Sequence, residues 1–202
     1  MKIFCLAALA LNLAFNVFPA TQDAVPAAVY EQFFTGTNLA GWNSPEANPF
    51  WSATKGILKG QNDSSLKGNV LYTKKDYRDF DLETEVRWSG EIDSGIMFRK
   101  PELQLQLGVS RSLKTDMTGS FYTGKYPEPG RARKLTEAFK PGEWNKVRLV
   151  ARGDTFTVWV NDIKTTEYTD PHFSAAAPIG LQVHPGLKME VEFRNLKIKE
   201  LK

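Results

Sequence analysis

Cysteine is nearly absent from this chain of 202 residues, which contains only Cys5. A single cysteine cannot form an intramolecular disulfide, so even in an oxidising compartment the fold must be held by its hydrophobic core. Five tryptophans and thirteen phenylalanines provide the material for that core.

A strong charge of either sign is also missing, since 26 lysine and arginine residues are balanced by 23 aspartate and glutamate residues. This balance gives no electrostatic basis for nucleic acid as the main partner. The one local excess of positive charge, residues 111–134, is interspersed with glycine, proline and serine and predicts a solvated loop. The sequence also lacks a P-loop, a dinucleotide fingerprint, a G-x-S-x-G nucleophile motif and a reactive cysteine.

Long hydrophobic runs are limited to residues 3–18, where asparagines interrupt the apolar stretch. A membrane-spanning helix needs about 20 predominantly apolar residues, so we predict no membrane span. Lys2 before the run and small residues after it are typical of a secretory signal peptide. We assign residues 1–24 to this signal, with cleavage somewhere in 20–28, and expect a periplasmic or secreted protein.

The remainder, residues 30–202, predicts one domain of short strands separated by turns, without a helical period of useful length. Apolar and polar residues alternate in four runs, residues 80–88, 102–107, 146–150 and 190–194. Such alternation predicts strands with one buried face, and we expect burial of Leu82, Val86, Leu103, Leu105, Val158, Leu181 and Phe193. The run 155–160, followed by Asn161 and Asp162, is expected to form a hairpin with the strand before it.

Seven short motifs between Phe34 and Leu201 share their order and spacing with a known family. They are residues 34–42, 80–82 with 85–87, 93–99, 102–104, 142–145, 158–161, and 179–184 followed by 192–196. On these motifs the chain resembles the 3-keto-disaccharide hydrolase domain family. The resemblance implies an all-β fold, a concanavalin A-like jelly-roll sandwich of two antiparallel sheets, and carbohydrate as the ligand class.

Three features depart from the family pattern. Asp93 stands where the family usually has asparagine, and Asp162 stands where glycine is usual. The aspartate that shortly follows the family's E-x-Q motif is missing, and the chain has Gln106, Leu107 and Gly108 there. This third departure removes a carboxylate that could serve in a site.

Three charged residues within the matched motifs are candidates for catalysis. Glu85 and Arg87 lie on one face of a predicted strand, about 6 to 7 Å apart along it, so one sugar ring could contact both. The alternative is a cross-strand ion pair on a solvated face. Arg99 follows Gly95, which leaves room beside the sheet for a ligand, and its side chain could hold an enolate oxygen or cap the strand end toward solvent.

The remaining candidates are amides, one carboxylate and a histidine. Gln104 and Gln106 alternate with leucines and face away from the core, where amides could bind sugar hydroxyls, but only Gln104 matches a family position. His184 ends its strand on the side of Gln182 and could act as an acid, a base or a metal ligand. We assign His184 to catalysis and Glu102, Gln104 and Gln182 to substrate binding. The two histidines form no known metal motif, so we predict no metal and no cofactor.

The resemblance implies an enzyme acting on a 3-keto-glycoside. A ketone at C3 acidifies the C2 hydrogen, so a base can remove it and expel the C1 substituent, after which water addition completes the cleavage. Glu85 or His184 would move protons and Arg87 and Arg99 would stabilise the enolate. The alternatives are a non-catalytic carbohydrate-binding module and a structural or partner-binding domain, and the oligomeric state is left open. For the enzyme, we expect one concave pocket lined by Glu85, Arg87, Arg99, Gln104 and His184.

Overall fold

The computed structural model describes residues 29–45 and 48–202. Strands make up 52% of the described residues and helices 4%, which confirms the prediction of an all-β protein. The predicted signal peptide, residues 1–24, lies outside the described residues and stays a prediction. The described helical elements are the 3-10 turn Glu128–Gly130 and helix α1, Leu135–Ala138, and neither is long enough to cross a membrane.

The described residues form fifteen strands, numbered in chain order. They are β1 Glu31–Gln32, β2 Trp42–Asn43, β3 Trp51–Thr54, β4 Ile57–Gln61, β5 Asn69–Tyr77, β6 Phe80–Trp88, β7 Asp93–Phe98, β8 Leu103–Ser110, β9 Thr115–Asp116, β10 Phe121–Tyr122, β11 Asn145–Arg152, β12 Thr155–Val160, β13 Ile163–Thr169, β14 Ala177–Val183 and β15 Glu190–Glu200. Sheet A has the order β13-β12-β11-β6-β15-β4-β3, with β1 beside β15. Sheet B has the order β10-β8-β7-β14-β5-β2, with β9 beside β8. The predicted sandwich of two antiparallel sheets is confirmed.

Strand β6 shows how the alternating sequence builds one layer of the sandwich. Phe80, Leu82 and Val86 point between the sheets and are almost fully buried, whereas Glu83 and Glu85 lie on the outer face of sheet A. Burying an apolar side chain of this size stabilises the fold by about 1.5–3 kcal/mol. All seven residues predicted to be buried are buried: Leu82, Val86, Leu103, Leu105, Val158, Leu181 and Phe193.

Four phenylalanines join the two sheets at one end of the core. Phe80 and Phe156 belong to sheet A, and Phe98 and Phe121 to sheet B. Their rings meet edge to face with centroids 5.5 to 6.2 Å apart, a spacing at which the ring quadrupoles attract. The two sheets therefore share one continuous hydrophobic core.

The turn between β12 and β13 explains one departure from the family pattern. Asn161 and Asp162 have φ of 47° and 66°, and a two-residue hairpin of this kind requires a positive φ at both positions. Asparagine and aspartate tolerate that conformation better than other non-glycine residues, so aspartate can replace the usual glycine. The predicted hairpin of residues 155–160 with the preceding strand is confirmed by the pairing of β11 with β12.

Candidate functional site

The outer face of sheet B presents three glutamine side chains, two on β8 and one on β14, the strands on either side of β7. Pairing of β7 with β8 sets Gly95 opposite Gln106 and Met97 opposite Gln104, and β14 pairs with the other edge of β7. The leucines that alternate with Gln104 and Gln106 fill the core, and period-two alternation therefore turns both amides outward. Gln182 on β14 completes the group.

Gly95 allows the three amides to meet. A Cβ atom at this position would lie 2.4 Å from Nε2 of Gln104, so the side chain of Gln104 lies across the space that glycine leaves open. From there Gln104 Nε2 donates to Gln182 Oε1 at 3.3 Å and to Gln106 Oε1 at 2.9 Å. It also lies 3.3 Å from the carbonyl oxygen of Ser94.

A buried carboxylate ends this row of amides. Gln106 Nε2 donates to Asp93 Oδ1 at 2.9 Å, and the backbone N–H of Arg111 donates to Asp93 Oδ2 at 3.0 Å. Asp93 is 5% exposed and Gln106 is 1% exposed, and buried polar groups are stable only when their hydrogen-bonding capacity is used. Asp93 thus has a structural partner on each oxygen.

His184 stands at the end of β14, beside these amides, with a defined arrangement of its ring nitrogens. Nδ1 lies 2.7 Å from the carbonyl oxygen of Pro185. A carbonyl oxygen only accepts hydrogen bonds, so Nδ1 must donate and the neutral ring carries its lone pair on Nε2. Asn62 Nδ2 donates to the backbone carbonyl of His184 at 2.9 Å and holds the strand end. The imidazole is therefore arranged as a proton acceptor through Nε2.

A cavity of about 250 Å³ lies over these groups. Tyr122 of β10 and the loop residues Arg111 and Tyr126 also line it. The rings of Tyr122 and Tyr126 are 5.0 Å apart, and the Arg111 guanidinium donates through Nη1 to the carbonyl oxygen of Gly186 at 3.2 Å. Burial raises the pKa of Tyr126 to about 12, so its hydroxyl stays protonated at neutral pH. The described lining residues are Asp93, Gln104, Gln106, Ser110, Arg111, Ser112, Tyr122, Tyr126, Gln182 and His184.

A larger groove, of about 510 Å³, lies near the sheet edges formed by β2 and β3. Among the described residues that line it, Lys74 is the only ionisable one. A catalytic site needs titratable and polar side chains that converge on one cavity. The cavity on sheet B brings together a histidine, an arginine, a carboxylate and three amides, despite its smaller volume. We therefore place the candidate site on sheet B.

Glu85 and Arg87 do not join this cavity, and the expectation that they would share one pocket with His184 is wrong. Both belong to β6 in sheet A, whose outer face points away from sheet B. Arg194 donates to both oxygens of Glu85, at 2.9 and 3.0 Å. Arg87 pairs with Glu192 at 2.6 Å. Glu85 and Arg87 therefore form cross-strand ion pairs on a solvated face, as the alternative interpretation of the sequence stated.

Arg99 is placed in the interior and not on the face of sheet B, which also corrects the expectation. The residue follows the end of β7 and has a φ of 64°, so the strand's alternation no longer sets its direction. Its side chain is 0% exposed and donates to Asp79 Oδ1 at 2.9 Å and to the carbonyl oxygens of Gly153 and Ser174. Burial lowers the pKa of Arg99. The guanidinium cannot reach a ligand in the cavity.

Glu102 lies in the turn before β8 and outside the cavity lining. Its carboxylate accepts a hydrogen bond from the hydroxyl of Tyr72 at 2.7 Å, and its side chain is exposed. Of the seven predicted site residues, the structure brings together Gln104, Gln182 and His184. Their predicted roles stay predictions.

Replacing Glu85 with glutamine should destabilise the protein by less than about 1 kcal/mol at pH 7 and leave the cavity unchanged. The hydrogen bonds from Arg194 lower the pKa of Glu85 below its ordinary value of 4.5. A lowered pKa adds stability above 4.5 that is lost as the pH falls through the folded-state pKa. The difference in unfolding free energy between variant and wild type, measured with urea, should therefore be largest at pH 7 and shrink as the pH falls below 4.5. A difference that grows on acidification would contradict this account.

Several residues of the cavity were not predicted as site residues. Gln106 alternates with leucines as Gln104 does, and Asp93 is the first residue of the matched motif 93–99. These positions could have suggested a role in the site. Arg111, Tyr122 and Tyr126 fall in residues 111–134, which the sequence predicts to be a solvated loop. That prediction is wrong for part of the segment, because β9 and β10 pair with β8 and Phe121 is fully buried. Arg111, Tyr122 and Tyr126 line the cavity on sheet B. Within residues 29–45 and 48–202, no group of three or more histidine, cysteine or acidic side chains is arranged to hold a metal ion.

Comparison with known families supports the resemblance. The model of the 3-keto-alpha-glucoside-1,2-lyase-like domain matches residues 29–199. The chain belongs to this family. No curated protein matches the sequence.

Solved structures with the same fold as this 3-keto-alpha-glucoside-1,2-lyase-like domain include enzymes and binding modules. A candidate glycosyl hydrolase from Parabacteroides distasonis is 23% identical, with a TM-score of 0.67 over 86% of this chain and 100% of that one. Carbohydrate-binding module CBM66 from Bacillus subtilis is 17% identical, with a TM-score of 0.51 over 79% and 96%. The kappa-carrageenase from Pseudoalteromonas carrageenovora is 11% identical, with a TM-score of 0.59 over 91% and 99%. At these identities the similarity establishes the jelly-roll fold.

Proposed function

We propose that the cavity on sheet B binds a 3-keto-glycoside and that His184 removes the proton at C2. The observation that carries this proposal is the fixed hydrogen bond from His184 Nδ1, which leaves Nε2 as a proton acceptor beside the glutamine amides. A positioned base of this kind typically contributes a factor of about 10² to 10⁴ to the rate. Membership of the 3-keto-alpha-glucoside-1,2-lyase-like family favours this chemistry over plain glycoside hydrolysis.

In the proposed reaction, the electron pair of the C2–H bond forms a C1–C2 double bond conjugated with the C3 ketone. The C1–O bond breaks, and the departing oxygen takes up a proton. Water addition at C1 then completes the cleavage. Negative charge develops on the ketone oxygen as C2 loses its proton, and Arg111 is the arginine within the described lining that can stabilise it. Arg111 thereby takes the role predicted for Arg87 and Arg99.

The decisive experiment compares a methyl 3-keto-α-glucoside with the matching methyl α-glucoside. Release of methanol from the ketone alone is expected, because only the ketone acidifies the C2 hydrogen. In deuterium oxide, the residual ketone should also exchange its C2 hydrogen if proton removal is reversible. An enzyme preparation that neither cleaves the ketone nor exchanges its C2 hydrogen would overturn the proposal.

A second candidate function is carbohydrate binding without catalysis. The observation that favours it is that Asp93, the one carboxylate among the described lining residues, already accepts hydrogen bonds on both oxygens. The fold is also shared with a carbohydrate-binding module. In this case both sugars should bind, as measured by calorimetry, and neither should be converted.

Replacing Gly95 with alanine should weaken sugar binding about tenfold through the loss of Gln104 contacts. The new methyl group would lie 2.4 Å from Nε2 and 2.6 Å from Cγ of Gln104, so it must displace that side chain from Cγ outward. Gly180→Ala is the matched control on the next strand, since its methyl group would meet the ring of Tyr72. Calorimetric titration should show a loss for Gly95→Ala and little change for Gly180→Ala. Equal effects in both variants would contradict the role of Gln104.

A further inference from the structure

The three glutamine amides of the site form a hydrogen-bonded row that could run in either of two directions. A glutamine amide has an oxygen that accepts and a nitrogen that donates, and rotating it by half a turn exchanges the two. If Gln104, Gln106 and Gln182 all rotated together, the contacts among them could be kept. The row by itself therefore does not determine which groups it presents to a ligand.

The carboxylate of Asp93 removes this ambiguity. It can only accept, and one oxygen is already taken by the backbone N–H of Arg111. Gln106 must turn its nitrogen toward the other oxygen, so its own oxygen faces Gln104. Gln104 must then turn its nitrogen toward Gln106, and the same nitrogen meets the oxygen of Gln182.

Two groups of the row, one on Gln104 and one on Gln182, are left for a ligand. Gln104 Oε1 and Gln182 Nε2 make no hydrogen bond to any residue in 29–45 or 48–202. The carbonyl oxygen of Ser94 favours the same orientation of Gln104, since it accepts from Nε2. The site therefore presents one acceptor and one donor in fixed places.

We propose that Asp93 is a positioning residue that fixes the direction of the amide row and thereby orients the ketone of the substrate. A hydroxyl group can donate or accept, whereas a ketone oxygen can only accept. The ketone oxygen accepts a hydrogen bond from Gln182 Nε2. It cannot bind at Gln104 Oε1, which accepts a hydrogen bond from a neighbouring hydroxyl of the sugar. This inference rests on the proposed function, that a keto sugar binds in this cavity.

The test is the substitution Asp93→Asn. The backbone N–H of Arg111 still donates to the side-chain oxygen of the new asparagine, so the asparagine nitrogen faces Gln106. Gln106 must then turn its oxygen toward residue 93, and the direction of the hydrogen bonds along the row reverses. Affinity for methyl 3-keto-α-glucoside should fall about tenfold, while affinity for methyl α-glucoside, whose hydroxyls can adapt, should change by less than about threefold. Asp116→Asn is the matched control, since the Asp116 side chain lies outside the cavity lining.

The double substitution Asp93→Asn with Gln106→Glu should restore the original direction. The carboxylate introduced at position 106 would accept from the new asparagine and from Gln104, so Gln104 again turns its nitrogen inward. Ketone affinity should return to within about threefold of wild type. If the single variant binds both sugars as wild type does, or if the double variant does not recover, the inference is overturned.

Neutron diffraction of the crystalline protein gives a readout that does not depend on sugar binding. Amide deuterons distinguish nitrogen from oxygen directly, so the direction of the row can be observed in wild type and in Asp93→Asn. If wild-type protein binds neither sugar, the proposed function fails, while the neutron maps still decide whether Asp93 sets the direction. An unchanged row in Asp93→Asn would overturn the positioning role alone.

Discussion

Replacing His184 with alanine should lower the turnover of a 3-keto-glucoside by a factor of about 100 to 10,000. The variant removes the Nε2 lone pair that the Pro185 carbonyl leaves available, but it does not remove the backbone hydrogen bond from Asn62 that holds the strand end. Steady-state kinetics should show the loss mainly in kcat, because the base acts in the transition state. Exchange of the C2 hydrogen with solvent should be lost in parallel.

His172→Ala provides the matched control for that experiment. His172 lies in the turn after Asp170, whose side chain accepts its backbone N–H at 2.9 Å, and its imidazole is not part of the cavity lining. Its removal should leave turnover unchanged. If both histidine variants keep wild-type turnover, His184 is not the base, and Asp93 would have to be tested in that role.

Strand alternation predicts the sandwich well because it depends on neighbouring residues in the sequence. Leu82 and Val86 are buried for the same reason that Glu83 and Glu85 are not, and this reason is visible without knowing which strands pair. The family motifs add the topology, but several of them serve the fold. Asn145, for example, is buried and binds the backbone of residues 140 and 143 through its side chain.

The site is harder to predict because a sandwich has two outer faces. Alternation shows that Glu85 and Gln104 both point away from the core, but only the pairing of their strands shows that they belong to different sheets. The prediction for Arg99 is wrong for another reason. Arg99 has a left-handed backbone conformation after the end of β7, so its side chain no longer follows the alternation of that strand. Loop residues such as Arg111 and Tyr126 have no periodicity, so their contribution depends on how the loop folds back over sheet B.

Replacing Asp79 with alanine should destabilise the protein by about 3 kcal/mol or more. Asp79 Oδ1 accepts from Arg99 Nη2 at 2.9 Å and from the backbone N–H of Gly153 at 3.1 Å. Without this carboxylate, the guanidinium of Arg99 remains buried with no charged partner, which is among the most costly arrangements in a protein interior. Urea unfolding at pH 7 measures the loss.

The double substitution Asp79→Ala with Arg99→Met distinguishes a buried charge from a general packing defect. Removing both charges should recover about half or more of the stability lost in Asp79→Ala, since methionine fills apolar space without needing a counterion. Glu190→Ala is the matched surface control, because its ion pair with Lys59 is exposed and should contribute less than about 1 kcal/mol. If the double variant is less stable than Asp79→Ala, Arg99 stabilises the core through its backbone contacts with Gly153 and Ser174 more than through charge pairing.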